Sequence, residues 1–373
     1  MKQFCCLALF WQLCSTIAGA GEFLVYFGTY TGPKSQGIYV SRFDAADGKL
    51  SAPELAAEIQ NPSFLALHPD RRHLYAAGEM SSGGAVSAFM VDAKTGRLSP
   101  LNRQASGGKG PCHLALDATG KSVLVANYGS GSIAALPVKA DGALGEPATT
   151  IQHAGSSVNA KRQAGPHAHF ICASPDNRFA LTCDLGLDQI LAYDLQPATA
   201  KLVPANPPFV RTAPGAGPRH LTFSPDGKFV YVINEMAGSI SAFTYEPGSA
   251  RLTGVQSIST LPGGFTNNNT CAGIAIHPSG KFLYGSNRGH DSIAVFSVDL
   301  KTGRLAFVEH QAMDIRTPRH FAIDPTGRWM LVENQSADSV LVFALDGTTG
   351  KLKPTDRKIS VGSPVCAVFV PVE

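Results

Sequence analysis

Short apolar runs alternate with turn residues along this chain, and the alternation itself repeats. The segments to compare are NPSFLALHPDRRHLYAAGE from Asn61, GPCHLALDATGKSVLVANYG from Gly110 and GPHAHFICASPDNRFALTCDLG from Gly165. They continue with GPRHLTFSPDGKFVYVINE from Gly217, TCAGIAIHPSGKFLYGSNRG from Thr270 and TPRHFAIDPTGRWMLVENQ from Thr317. Their leading positions, Pro62, Pro111, Pro166, Pro218, Cys271 and Pro318, lie about 50 residues apart. A further start, Ser363-Pro364, stands close to the end of the chain.

Each unit has the same internal logic. A short apolar run meets a turn such as Ser224-Pro225-Asp226-Gly227-Lys228, where Pro presets one φ angle and Asp and Gly supply the turn geometry. A second strand of alternating apolar residues follows, as in Phe229 to Ile233. A polar tip leads to a third strand, Ser239 to Phe243 in that unit. A turn of the Asp-x-x-x-Gly-Arg-Leu type comes next, nearly identical at Asp92–Leu98 and Asp299–Leu305. A fourth, edge-like strand closes the unit.

Four-stranded antiparallel units at this period are propeller blades. No segment carries a sustained helical period, which argues against a βα solenoid. The ends give the blade number. Ser363 to Val370 reads as an inner strand alone, while Phe23 to about Ala57 (FLVYFGT, GIYVSRFD, LSAPEL) supplies the other strands of a blade. Joined, they close the ring and hide an otherwise open sheet edge. The chain is therefore expected to be all-β: a single seven-bladed β-propeller domain over residues 21–373.

Composition changes this picture little. Of 373 residues, 16% are charged and 44% apolar, which suits a globular domain with a large core. The formal net charge is +3 and no basic run exceeds two residues, so nothing points to nucleic acid or an anionic membrane. The first 20 residues differ: Lys2, an apolar stretch from Phe4 to Leu13, then Ala18-Gly19-Ala20. That is the layout of a secretory signal peptide, with cleavage expected after Ala20 and an exported, periplasmic or secreted product. Removing it leaves Cys112, Cys172, Cys183, Cys271 and Cys366. An odd, widely spaced set is no disulfide framework and reads as buried free thiols; Cys172 and Cys183, flanking one hairpin, are the pair nearest to bridging.

The start of an inner strand and the end of the second strand lie at the same end of an antiparallel pair. One mouth of the ring therefore gathers Pro218-Arg219-His220, Pro318-Arg319-His320, Pro111-Cys112-His113 and Pro166-His167-Ala168-His169. The second strands add Glu79, Asn127, Asp184, Asn234-Glu235, Asn287-Arg288 and Glu333-Asn334. The Pro-Asp-Gly turns mark the opposite end and look purely structural. Asn127, Asn234, Asn287 and Asn334 recur evenly, as residues that fix blade spacing would. His167 with His169, Glu235 and Arg288 are uneven, so the repeat does not require them. His113, His169, His220 and His320 come from separate blades without metal-ligand spacing, so no metal is expected.

GPHAH at Gly165, GPRH at Gly217, INE at Ile233 and SNRGHDSIAVF at Ser286 resemble the β-propeller lactonase family. That family includes bacterial propeller-type 6-phosphogluconolactonases and fungal carboxymuconate lactonising enzymes. LVYFGTYT and NPSFLALHPD are similar too, so the resemblance covers the whole mature chain. It implies a seven-bladed fold, no obligatory cofactor and chemistry on a lactone ring. It assigns catalytic positions to His169 (or His167), Arg219, Glu235 and Arg288. We add His167, His220, Arg319, His320 and Asn287 as expected substrate contacts. Glu235 and His169 would share the base and acid roles, while Arg219 and Arg288 would hold an anionic lactone. The expected protein is a monomer or weak homo-oligomer. Cycloisomerisation and a non-enzymatic binding propeller remain alternatives, and the leader points away from cytosolic sugar-phosphate metabolism.

Overall fold

The computed structural model describes residues 21–372; the expected leader lies outside them. Among the described residues, regular structure consists of β-strands and two short 3-10 turns. The strands form seven antiparallel sheets arranged as blades. Six are continuous in sequence. The inner strands of blades 2 to 7 are Pro62–Leu67, Pro111–Leu116, Ala168–Ala173, Pro218–Phe223, Thr270–Ile276 and Pro318–Ile323. Blade 1 is composite: Pro364–Pro371 pairs with Glu22–Thr29, which pairs with Gly37–Asp44.

Burial explains the sequence pattern. Each second strand is sandwiched between neighbouring blades, so Phe229–Asn234 and Ser122–Asn127 are buried at every position. The outer strands alternate, as in Leu352–Ser360. Apolar clusters join adjacent blades: Phe179 and Leu181 of blade 4 pack with Val230 and Val232 of blade 5. Phe23, Val25 and Phe27 of blade 1 pack with Leu331 and Val340 of blade 7, so the ring closes through core as well as through strand pairing. Tyrosines bolt the blades together. Tyr26 Oη donates to Gly96 O of the next blade (2.9 Å), and Tyr75 and Tyr284 repeat this with Gly142 and Gly350. Gly96 ends the Asp-x-x-x-Gly turn at φ 75°, a left-handed conformation that glycine adopts without a Cβ clash.

A bulge recurs near the start of the inner strands. Pro218 faces Asn234 and His220 faces Ile233, which leaves Arg219 as the extra residue. The same shift leaves Ser63, Cys112, His169 and Arg319 unpaired in their blades. A bulge re-aims side chains and bends the strand. Blade 4 corrects the sequence alignment here. Ala168, not Pro166, takes the leading position opposite Asp184, so the two extra residues precede the strand. His167 therefore lies outside the strand, and His169 occupies the position of Arg219.

The five thiols of the described residues are free, four of them buried. Cys172 faces Leu181 and Cys183 faces Phe170, so that candidate pair is out of register.

Candidate active site

Two rings of residues build the mouth. The bulge residues Ser63, Cys112, His169, Arg219 and Arg319 form one, continued by Val365 and Ala272. The residues at or just past the ends of the second strands form the other: Tyr30, Glu79, Tyr128, Leu185, Glu235, Arg288 and Gln335. Tyr30, Ser63, Glu79, Cys112, Arg219 and Arg319 line one cavity, with Phe64, His220 and His320 also on its wall.

Glu235 is the hub. Its Oε2 accepts from Arg219 Nε (3.0 Å) and Arg288 Nη2 (3.0 Å), and its Oε1 accepts from Arg162 Nη2 (2.7 Å). Burial alone would raise this carboxyl, but Arg288 and Arg219, with Arg162, outweigh it and hold Glu235 down at about 2. Backbone carbonyls fix the arginines: Arg219 Nη1 donates to Ala272 O (2.8 Å) and Arg288 Nη2 to Cys271 O (3.0 Å). The grip is not symmetric. Burial, Arg288 and Arg319 push Arg219 down to about 9 despite Glu235. The carboxylate is the stabilised partner, and Arg219 and Arg288 are the strained cations, whereas Arg162 is pushed up, despite burial, by its bond to Glu235; Arg219 still carries its charge at neutral pH.

On the other side, Tyr30 Oη donates to Glu79 Oε2 (2.8 Å) and Arg319 lies over the Tyr30 ring, 5.4 Å from its centroid. Arg162, Arg219, Arg288 and Arg319 thus face Glu79 and Glu235, leaving the mouth with excess positive charge.

His169 is buried beside Cys112, Nδ1 to Sγ 3.7 Å. Burial first, then Arg219 and Arg319, lowers its pKa well below the usual histidine value, so the ring is neutral at pH 7. Burial pushes the Cys112 thiol up, which removes it as a thiolate nucleophile. His167 stacks on Tyr128 (centroids 4.5 Å apart), with Nδ1 3.0 Å from Tyr128 O.

His220 and His320 sit lower, in an aromatic plug. His113 packs against Phe64 and Phe170 at 4.1 Å each, and His220 lies 5.2 Å from His113 and 5.3 Å from His169. His320 Nδ1 lies 2.8 Å from Oε2 of buried Glu333, whose pKa burial raises despite that contact. These histidines floor the cup. Asn287 departs further from expectation. Its amide donates to Thr260 O and Ser292 Oγ and accepts from Thr260 Oγ1, so it laces the blade rather than reaching a ligand.

Sequence reasoning missed Arg162, Tyr128 and Tyr30. Arg162 comes from the long connection between Thr149–Gln152 and Ala168–Ala173. That loop is pinned: Gln163 donates to Leu185 O and to Asp188, and Ser157 donates to Asp188. Its length was the available signal. Tyr30 and Tyr128 occupy the same repeat position as Glu79, Glu235 and Arg288, which a strict blade-by-blade alignment exposes.

A closed seven-bladed ring with a cationic cup at one end defines a class. The family described as "Lactonase, 7-bladed beta-propeller" matches residues 24–369, and the chain belongs to it. It is 36% identical over 300 residues to the 6-phosphogluconolactonase of Bacillus subtilis (strain 168), covering 80% of this chain and 84% of that one. A 6-phosphogluconolactonase of Formosa agariphila is 32% identical over 304 residues, covering 80% and 85%. The solved structure of the periplasmic gluconolactonase of Pseudomonas aeruginosa superposes with a TM-score of 0.90 at 36% identity, covering 94% of this chain and 100% of that one.

Proposed function

We propose that this chain hydrolyses an anionic, sugar-derived lactone, and that it does so after export from the cytoplasm. The observation that carries the reading is the Glu235 hub. Three guanidinium groups converge on one buried carboxylate, a neutral histidine takes the matching bulge position in the adjacent blade, and positive charge is left over for a ligand. Family membership and the named relatives support lactone chemistry. The likeness to a periplasmic enzyme and the leader-like first 20 residues support export.

In this mechanism water attacks the lactone carbonyl carbon, and Arg219 and Arg288 stabilise the oxyanion that forms. At rest Glu235 is ionised and His169 neutral, so neither offers a proton at pH 7. One group must therefore both take and return it. His169 accepts the proton from water. As the ring C–O bond breaks, the resulting imidazolium, disfavoured by burial and by the arginines, gives that proton to the leaving ring oxygen. Glu235 keeps the arginines aligned, and Arg162 and Arg319 hold the substrate's anionic substituent.

The test is a screen of aldonolactones, each with and without phosphate, run in ¹⁸O-labelled water. The expected result is label in the product acid and at least tenfold higher kcat/KM for the charged member of each pair. Isomer formation without label would move the chain to cycloisomerisation. Equal rates for charged and neutral lactones would sink the anion assignment.

A further inference from the structure

The turn between the inner and second strands repeats six times, on the face away from the cup. Its first and third residues normally pair an acceptor with a hydroxyl donor. Ser224 Oγ donates to Asp226 (2.6 Å), and Ser174 donates to Asp176. Thr119 donates to Asp117, and Thr326 donates to Asp324. In blade 6, Ser279 Oγ lies 2.8 Å from His277 Nδ1, whose Nε2 meets Gly327 O.

Blade 2 breaks the rule. His68 Nε2 lies 3.0 Å from Gly120 O, as in blade 6, so that nitrogen carries a hydrogen, and in the neutral ring Nδ1 presents its lone pair. The Asp70 backbone N–H donates to Nδ1 (3.1 Å), but the side chain facing it is a carboxylate, with Oδ1 2.9 Å away. Two acceptors confront each other where every sibling turn supplies a donor. A second departure points at the same spot. His73 stands where other blades have Phe179, Phe229, Phe282 or Trp329, and its Nδ1 lies 2.7 Å from Asp70 Oδ2. Gly142 makes room for that ring: a Cβ there would lie 2.4 Å from Nε2.

We propose that His68, Asp70 and His73 bind a divalent first-row transition ion, with Zn²⁺ as the reference case. Among the described residues, this is the one trio of His, Cys, Asp or Glu whose ligand atoms all lie within 4.8 Å of one another. Two imidazole nitrogens and a carboxylate oxygen make a three-ligand N₂O set, and a water reaching the exposed side of Asp70 would complete the four-coordinate geometry suited to Zn²⁺. The bond from His68 Nε2 to Gly120 O fixes the tautomer that presents Nδ1, the usual outer support of a ligand histidine. Tetrahedral ligands sit ~3.3 Å apart, so the observed contacts open by a few tenths of an ångström on binding. The ion replaces the missing donor and closes the turn of blade 2 on itself, while His68 Nε2 ties that turn to Gly120 of blade 3.

The experiment uses the tag-free full chain, stripped with chelator and dialysed against Zn²⁺, with bound metal read by elemental analysis and affinity by calorimetry. Asp70→Ser and His73→Phe each restore the arrangement of a sibling blade, so both should fold. The wild type should bind one Zn²⁺ per chain and gain thermal stability. Each variant should bind at least about tenfold more weakly, with the lactonase rate unchanged. Absence of stoichiometric uptake by the wild type would overturn the proposal. Equal affinity in wild type and both variants would overturn it too.

Discussion

The mouth and the plug of the funnel sit one residue apart in the same repeat, yet they differ completely in electrostatics. The bulge position holds Arg219, Arg319, His169 and Cys112; the next holds His220, His320, Phe170 and His113. In the upper layer, charges converge and remain partly unpaired. In the lower one, aromatic rings seal the channel, and His220 Nε2 is buried with no hydrogen-bond partner. Two buried glutamates show the same contrast. Glu235 is held ionised at about 2 by arginines, whereas burial raises Glu333 beside His320. Position along the axis, more than residue type, decides which groups can do chemistry.

The largest effect that would break this contrast is acid sensitivity. Glu235 titrates at about 2 in the fold against an ordinary 4.5. Its contribution to stability is thus complete above about pH 4.5 and disappears as pH falls towards 2. It amounts to about 3 kcal/mol. Urea unfolding of wild type and Glu235→Gln at pH 6, 4 and 3 should show the difference between them shrinking with acid. Parallel curves would mean that the arginines do not favour the ionised form.

Arg219→Ala should come next, lowering kcat/KM about a hundredfold through loss of an oxyanion donor, with the circular dichroism spectrum unchanged. A loss below tenfold would remove Arg219 from the chemistry. Arg162 is 39% exposed and reaches in from a loop. Arg162→Ala should raise KM about fivefold with little change in kcat, as expected for a contact that binds ground and transition state alike. The smallest effect belongs to the plug. His220→Phe removes an unsatisfied buried nitrogen, so activity should stay within about threefold and stability should rise by about 1 kcal/mol. A collapse of activity there would erase the distinction between layers.

Much of the fold was legible because each blade repeats its own punctuation. The period, the Asp-x-x-x-Gly turns and the split blade at Pro364–Pro371 required no structure to read. The bulge was not legible. Pro218-Arg219-His220 reads as ordinary alternation, which would send Arg219 and His220 to opposite faces, whereas both line the cup. Blade 4 hid the equivalence of His169 and Arg219 behind a proline two residues early. Arg162 had no repeat partner to reveal it. Asn287 was named for the site and for the scaffold alike, and its bonds to Thr260 and Ser292 assign it to the scaffold.

The composite blade has a consequence for the order of assembly. Glu22–Thr29 is synthesised before blades 2 to 7, but its inner neighbour, Pro364–Pro371, comes after them. Blades 2 to 7 each hold all their strands in one stretch and can form as they emerge, while blade 1 waits with one edge unpaired until blade 7 has been made. Ring closure is then a clasp fastened once, after blade 7, and loss of Pro364–Pro371 would leave every other blade intact but the circle open.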